Sequence, residues 1–203
     1  MSSDAYTLAS SDIGTFLYRE KTALANFCHK FGDEPCAMRV RAAAAALKAS
    51  LNAHLWDEGA GVYQAYNVSS KAPIARVTHL NLFPVFGGAA LVNTSQASRA
   101  YKAVSGPDML SDFGLRSASS SEALYTNGDY VTPYSNWRGP VWINTNALIA
   151  YGLSEQGMKK QALDLAGRIV SLLAAAIRQN PKLAERGQAW RECYSSADGK
   201  VFY

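Results

Sequence analysis

The stretch DIGTFLYREKTALANFCHKF, residues 12–31, decides the fold class of this chain. Its larger apolar residues recur at steps of three and four: Ile13, Phe16, Leu17, Leu24, Phe27, Cys28 and Phe31. That spacing places them in one stripe along an amphipathic helix. Ser11 or Asp12 can cap the start of the helix, and Gly32 can end it. The sequence therefore predicts a long helix over residues 12–31.

A second helix is predicted immediately downstream, from about Asp33 to about Leu55. Pro35 falls in its first turn, where a missing N–H removes no intrahelical hydrogen bond. The run Ala42–Ala46 favours a helix strongly, and its small side chains allow a neighbouring helix to approach closely. Two helices with Gly32 between them predict a helical hairpin.

Helical and turn-rich segments alternate through the rest of the chain. WDEGAGVY, residues 56–63, is typical of a turn into a short extended piece. Residues 80–92 are apolar, but Pro84 and Gly87-Gly88 obscure the start of a helix there. Helices are predicted at 95–104, 141–152 and 159–179, and the last has this buried stripe: Leu165, Ile169, Leu172, Leu173 and Ala176. About six helices without a β-sheet core predict an all-α fold.

One long loop, residues 108–140, lacks any period and is rich in Ser, Gly, Asn and Tyr. Structureless loops of this length are usually functional or disordered. Disorder is disfavoured here, because the loop holds these large apolar residues: Phe113, Leu115, Tyr125, Tyr130, Tyr134 and Trp137. We therefore predict one domain over residues 1–203, with 108–140 as its functional loop.

Composition excludes several classes of function. The net charge is +4, and the basic residues do not run together, so nucleic-acid binding is not expected. No stretch approaches the ~20 apolar residues of a membrane span, and residues 1–11 lack the apolar core of a signal peptide. Three cysteines, Cys28, Cys36 and Cys193, show no metal-ligand spacing and are expected as buried or free thiols. No motif implies a cofactor or a metal.

The segment SNWRGPVW, residues 135–142, is the most informative motif. Trp137 and Trp142 flank a Gly-Pro bend, and each offers a broad apolar face with one N–H donor. Such a face suits the C–H side of a pyranose ring, while Arg138 can donate hydrogen bonds to hydroxyls or to a carboxylate. A structural alternative remains open, in which both rings belong to the core and Arg138 clamps the loop.

Five segments, in the same order, resemble glycoside hydrolase family 63, the family of processing α-glucosidase I. The segment NWRGPVW, residues 136–142, looks like the family's (Tyr/Asn)-Trp-Arg-Gly-x-x-Trp motif, and FGLRS, residues 113–117, resembles its Phe-Gly-Leu-Arg-Ser motif. LYREK at 17–21 and LWDE at 55–58 look like recurrent helix and turn signatures of the family. WRECY, residues 190–194, resembles the Glu-x-Tyr segment that holds its catalytic base.

This resemblance implies part, roughly half, of an (α/α)6 toroid and an inverting hydrolysis of α-glucosidic bonds. Inversion needs two carboxyl groups, one protonating the leaving oxygen and one activating water. By the match, Glu192 is the base. The implied substrate contacts are Trp137, Arg138, Gly139, Trp142, Tyr134, Phe113 and Arg116. The implied ligand is an oligosaccharide, such as a glucose-capped N-glycan, or a small glucoside, such as glucosylglycerate.

The chain departs from the family pattern at the general acid. The family places it in a Gly-x-Asp-(Asp/Asn)-x-Pro segment before the helix that resembles residues 12–31, and residues 1–11 offer only Asp4. Asp112 and Glu122 lie on the loop as substitutes, although nothing in the spacing selects either. We therefore expect a truncated enzyme whose partner is the missing half of the barrel or a second copy.

Two other functions remain open from sequence. One is a catalytically inactive half-barrel that binds carbohydrate or protein, which the missing acid favours. The other is a trehalase-like glycosidase with the same fold. If the chain is part of a processing α-glucosidase, the resemblance implies the endoplasmic reticulum, and otherwise the cytoplasm.

Overall fold

The computed structural model of the protein describes residues 7–128, 136–179, 181–185 and 190–200. These residues form helices joined by turns and very short strands. The helices are α1 (Ser11–Lys30), α2 (Glu34–His54), α3 (Thr94–Val104), α4 (Ile143–Glu155), α5 (Lys159–Gln179) and α6 (Pro181–Glu185). The predicted helices at 12–31, 33–55, 95–104 and 159–179 are therefore confirmed to within two residues.

Helices α1 and α2 form the predicted hairpin and pack through small residues. A Cβ on Gly14 would collide with the side chain of Leu51, so α1 and α2 are in close contact there. Ala25 of α1 and Ala44 of α2 are buried. The Asp33 carboxylate accepts the backbone N–H of Cys36 and so caps the start of α2.

The apolar stripe of α1 faces outward. The side of α1 that is buried within the chain carries mostly small or polar residues: Ser11, Gly14, Thr15, Tyr18 and Ala25. The larger apolar residues are 39–78% exposed: Ile13, Phe16, Leu17, Leu24, Phe27 and Phe31. The periodicity correctly predicted a helix, but most of this stripe is exposed, and only Phe16 among these residues has ring contacts with the second 3₁₀ turn, at Phe83 and Phe86.

The expectation of free thiols is wrong for two of the three cysteines. Cys28, near the end of α1, and Cys36, in the first turn of α2, form a disulfide with a Cα–Cα distance of 5.8 Å. The tight turn at Gly32, where φ is +80°, brings the two helix ends together. Cys193 is a free, buried thiol.

Four small antiparallel sheets support the connections between the helices. The strands are β1 (Leu8–Ala9), β2 (Trp56–Asp57), β3 (Val62–Tyr63), β4 (Ala65–Asn67), β5 (Ala72–Ile74), β6 (Leu110–Ser111), β7 (Gly114–Leu115), β8 (Val141–Trp142) and β9 (Cys193–Tyr194). The sheets are β1-β4-β5, β2-β3, β6-β7 and β8-β9. None of these strands exceeds three residues, so the described part of the chain has a helical core. The short extended piece predicted after residue 56 corresponds to β2 and β3.

The apolar segment 80–92 passes through the centre of the molecule. It forms two 3₁₀ turns, His79–Asn81 and Phe83–Gly87, in which most residues are buried and Leu80 and Phe86 are partly buried. Helix α4 crosses this segment closely, because a Cβ on Gly152 would lie within 2.6 Å of the Phe86 Cα. On α5, the predicted stripe at Leu165, Ile169, Leu172, Leu173 and Ala176 is confirmed, with Leu173 only partly buried.

None of the helices in the described ranges is long and apolar enough to cross a membrane.

Candidate active site

A cavity of about 340 Å³ lies where the start of α1, the first 3₁₀ turn and the start of α4 meet. Its volume is within the range of small-ligand sites. Its walls are formed by Asp12, Phe16, Thr78, His79, Leu80, Phe83, Ser117, Trp137, Asn144, Thr145 and Leu148. An exposed indole and several polar groups therefore meet beside an apolar floor.

The two tryptophans of the central motif stack on each other. The Trp137 and Trp142 ring centroids are 3.6 Å apart, and their planes differ by 6°. Trp142 is buried, and its indole N–H donates to the Asn136 carbonyl oxygen at 2.9 Å. Trp137 is 42% exposed and lines the cavity. Trp137 is therefore the more exposed of the two rings, and Trp142 stacks against it on the buried side.

His79 forms the inner wall of the cavity, behind Trp137. Its ring lies 5.7 Å from the Trp137 ring, with 28° between the planes. Nδ1 is 3.0 Å from the Ser117 carbonyl oxygen. The side chain is 95% buried, and this burial lowers the pKa of the imidazole below its usual 6.5, opposed by the Ser117 bond and by the Asp12 charge. His79 is thus neutral near pH 7.

Local hydrogen bonds fix the turn that carries His79. The Thr78 hydroxyl accepts from the Leu80 N–H, and the Asn81 side chain accepts from the Thr78 N–H at 2.6 Å, which together form a capping box. The Ser11 hydroxyl of α1 donates to the Leu80 carbonyl at 2.7 Å. His79 therefore starts this helical turn and is buried.

Glu192 lies directly next to the strand that carries Trp142. In the β8–β9 pair Trp142 faces Cys193, and the backbone N–H of Ile143 donates to the Glu192 carbonyl at 3.0 Å. The Glu192 side chain is exposed. Below it, the hydroxyl of the fully buried Tyr194 accepts the Arg191 N–H at 3.0 Å and holds this turn. The Glu192 backbone is therefore hydrogen-bonded to Ile143, the residue that precedes Asn144 and Thr145 of the cavity wall.

Gly139 and Arg138 shape the loop behind the Trp137 ring. A Cβ on Gly139 would collide with the Thr126 carbonyl oxygen and lie 2.7 Å from the Tyr125 ring. The Gly139 N–H donates to the Ser117 hydroxyl at 2.9 Å, and the Arg138 carbonyl accepts the Thr126 N–H at 2.8 Å. Their substrate contacts remain predictions, and the backbone here joins three parts of the loop.

Two other predicted contacts, Phe113 and Arg116, lie apart from the cavity walls. Phe113 is half-buried and packs with the apolar cluster around Val141 and Leu172. The Arg116 guanidinium donates to the Pro107 carbonyl at 2.7 Å and to the Ser196 hydroxyl at 3.2 Å. Both residues hold the loop against the C-terminal turn. Tyr134, also predicted as a contact, lies outside the described residues.

The C-terminal turn after Glu192 is held by an asparagine. The Asn127 amide donates to the Ser195 hydroxyl at 2.7 Å, and its carbonyl oxygen accepts the Ser196 N–H at 2.7 Å. Ser195 and Ser196 are both buried. This contact joins the loop at 108–128 to the segment that carries Glu192, across almost seventy residues of sequence.

The two carboxylates considered as substitute acids are placed away from the cavity wall. Asp112 is fully exposed, and its carboxylate is 3.8 Å from Arg168. The Glu122 carboxylate accepts from Arg76 at 3.0 Å and from the Val77 N–H at 2.8 Å. The cavity instead contains Asp12, which the sequence suggested only as a helix cap. Its position at the start of α1, opposite His79, depends on packing and has no signature in the sequence.

Comparison with known proteins identifies the family. A family model described as the mannosylglycerate hydrolase MGH1-like glycoside hydrolase domain matches residues 3–201. The chain belongs to this glycoside hydrolase family. The resemblance to family 63 is confirmed.

Curated relatives with two activities align with the chain. A periplasmic trehalase of Citrobacter koseri is 26% identical over 177 residues, which is 86% of this chain and 28% of the relative. A mannosylglycerate hydrolase of Thermus thermophilus is 29% identical over 123 residues, which is 59% of this chain and 27% of the relative. The chain spans about a third or less of the length of these relatives.

Solved structures of the same two kinds share the fold. A GH63 mannosylglycerate hydrolase of Thermus thermophilus in complex with glucose superposes with a TM-score of 0.78 at 22% identity, covering 96% of this chain and 41% of the other. The neutral trehalase of Saccharomyces cerevisiae superposes with a TM-score of 0.75 at 20% identity. The match covers 95% of this chain and 35% of the trehalase. The predicted fold, part of an (α/α)6 toroid, is confirmed.

Proposed function

We propose that this chain forms one side of the substrate pocket of an inverting α-glycosidase, with an α-glucosidic bond as its target. Glu192 is the general base that removes a proton from the attacking water, and Trp137 is the platform under the sugar ring. The general acid comes from outside the part of the toroid described here. Activity therefore belongs to the completed toroid rather than to this chain alone.

The observation that carries the proposal is the connection of Glu192 to the exposed indole of Trp137. Trp137 stacks on Trp142, Trp142 is paired with Cys193, and Glu192 immediately precedes Cys193. An exposed carboxylate on the residue next to this strand pair is compatible with an inverting site, where a base activates water on one side of the sugar ring. Trp137 provides the apolar surface that a pyranose C–H face requires.

The class of substrate is narrowed by the relatives. Mannosylglycerate hydrolases and trehalases both align with this chain, and both names denote enzymes of small glycosides. A cavity of about 340 Å³ also favours one small sugar unit over a long oligosaccharide. We therefore favour a small α-glucoside, such as glucosylglycerate, over a glucose-capped N-glycan.

Trehalose is the second candidate substrate. It is supported by the periplasmic trehalases, which align over 86–89% of this chain, a larger share than the 59% for the Thermus mannosylglycerate hydrolase. Hydrolysis of trehalose and of glucosylglycerate, measured side by side, distinguishes the two. An inactive half-barrel that only binds carbohydrate is the third possibility. Hydrolysis of neither substrate in the same assay would indicate it.

The test is made with the chain alone and fused to the N-terminal part of a family member that supplies the acid. Release of β-glucose is followed by NMR, so that inversion is observed directly. We expect negligible hydrolysis by the chain alone, because general-acid assistance is worth about 10²–10⁴-fold. In the active fusion, Glu192→Gln is expected to reduce kcat by at least about 10²-fold.

The matched control is Glu34→Gln in the same fusion. Glu34 is a half-exposed glutamate at the start of α2, and α1 separates it from the cavity by nearly its full length, about 30 Å. Its substitution is expected to leave kcat unchanged. A fusion that hydrolyses the glucoside equally well with Glu192→Gln would remove Glu192 from the mechanism. Strong hydrolysis by the chain alone would place the acid within it.

A further inference from the structure

One nitrogen of the buried His79 is not used by the fold. Nδ1 bonds to the Ser117 carbonyl, and the described residues offer no hydrogen-bond partner to Nε2. The ring is nevertheless 95% buried and forms part of the cavity wall. A polar atom of a buried side chain normally has a partner, and the cavity that His79 lines offers space for one.

The Ser117 bond also fixes which nitrogen carries the proton. A carbonyl oxygen can only accept, so Nδ1 must be the N–H donor. Burial keeps the imidazole neutral, since it lowers the pKa. In the neutral ring Nε2 then has a lone pair and no proton, and it can only accept a hydrogen bond. A ligand group that binds next to Nε2 must therefore be a hydrogen-bond donor.

Asp12, on the facing end of α1, also contributes an acceptor to the cavity. Its carboxylate is half-buried and accepts the Ser10 hydroxyl through Oδ1. A carboxylate beside a neutral imidazole acceptor favours hydroxyl groups, which donate to both. The same pair repels an anionic group, because a negative charge gains no hydrogen bond from an unprotonated nitrogen and faces the Asp12 charge.

We propose that His79 and Asp12 form a hydroxyl-recognition subsite, in which His79 Nε2 accepts a hydrogen bond from a neutral sugar ring lying against Trp137. The subsite binds the glycosyl unit and rejects a carboxylate such as that of glycerate. This inference rests on the proposed function, since it assumes that the cavity receives a sugar. The proposed function does not name the residue that binds the sugar hydroxyl, which is His79 here, or require that the bound group be neutral.

The experiment measures binding of methyl α-glucoside and its singly deoxygenated analogues by calorimetry. His79→Asn retains a donor for the Ser117 carbonyl but has no acceptor at the Nε2 position, whereas His79→Gln places an amide oxygen there. We expect about tenfold weaker binding for His79→Asn and a smaller loss for His79→Gln. One deoxy analogue should bind the wild type about tenfold more weakly than methyl α-glucoside does. The His79→Asn variant should bind this analogue and methyl α-glucoside with equal affinity. D-glycerate should not bind at this site.

A spectroscopic measurement separates ligand contact from a purely structural role. In long-range ¹H–¹⁵N spectra of the wild type, Nε2 should be the unprotonated nitrogen and should shift when the glucoside binds. Trp137→Ala tests the sugar site independently of His79. If Trp137→Ala abolishes binding while His79→Asn binds every analogue as the wild type does, the His79 assignment is wrong and the sugar site stands. If the wild type binds no glucoside, or if D-glycerate displaces it, the subsite is overturned.

Discussion

At the residue scale, the motif around Trp137 and Trp142 presents one exposed ring, and buried residues hold that ring and its loop in place. Both indoles were predicted as sugar platforms, yet the structure exposes Trp137 and buries Trp142 beneath it. Ser117 links the two sides of the site, because its carbonyl accepts from His79 and its hydroxyl accepts from Gly139. Substitutions of these buried residues should therefore change the free energy of unfolding more than they change the groups that contact a ligand.

Gly139→Ala should destabilise the fold by about 1–3 kcal/mol, because the new methyl group would collide with the Thr126 carbonyl. Urea unfolding followed by tryptophan fluorescence measures the change. Gly167→Ala is the matched control, since Gly167 lies on α5 and a Cβ there meets nothing within 4 Å. That substitution should stabilise by about 0.5–1 kcal/mol. Equal effects of the two changes would contradict the close packing at Gly139.

The pH dependence of stability should report the burial of His79. Its pKa is lowered in the folded state, so below the usual value of 6.5 the unfolded chain binds more protons than the folded one. Stability is thus complete above about pH 7 and falls as pH drops towards 5, by at most about 1.4 kcal/mol per pH unit. His79→Gln should flatten this slope in urea-unfolding series. The exposed His54→Gln, as control, should leave the wild-type slope in place.

At the element scale, α1 has two faces with different roles. Its small residues fit against α2, whereas its large apolar residues lie on the outer side. A groove between α4 and α5 is also apolar, with Tyr151, Leu163 and Val170 more than half exposed on or beside it. These are two separate helical surfaces without a cover in the described chain. In a complete toroid, such surfaces would pack against further helices.

Replacing Leu24 and Phe27 by Gln should remove one of these surfaces without weakening the fold. Both side chains are at least half exposed, so the free energy of unfolding should change by less than about 0.5 kcal/mol. Binding of a hydrophobic dye should decrease. Leu51→Ala, on the buried side of the same hairpin, should cost about 2–5 kcal/mol. A large destabilisation by the Leu24 and Phe27 changes would mean that the outer face is already packed in the chain.

At the scale of the whole molecule, the chain has the fold of one part of a larger ring. The structures it superposes on extend beyond it, since it covers 41% of the mannosylglycerate hydrolase and 35% of the trehalase. Exposed apolar patches of this kind usually mark an interface. The partner is predicted to be the remaining part of the toroid or, in its absence, a second copy of this chain.

The isolated chain should therefore self-associate as its concentration rises. Sedimentation velocity over a range of concentrations should show species larger than 21.9 kDa, together with binding of a hydrophobic dye. Addition of the complementary toroid part should compete with self-association and suppress dye binding. A stable monomer that binds no dye at any concentration would contradict the half-toroid interpretation.

The sequence by itself determined the helices and the family. Helix boundaries follow from apolar spacing and from Gly, Pro and Asp signals that act over a few residues, and the predicted 159–179 coincides with α5. The ordered motifs led to family 63 because each keeps its spacing along the chain. These are local properties, and a linear pattern records them directly.

Only the tertiary structure decided which faces are buried and which residues meet. The α1 stripe is exposed because the small residues on its other side allow the closer approach to α2. Asp12, His79 and Trp137 line one cavity although more than fifty residues separate each from the next. Phe113 and Arg116, which lie in a family motif, support the loop, and their substrate contacts stay predictions. Contacts between distant segments depend on packing in three dimensions, and the spacing of residues along one chain does not encode them.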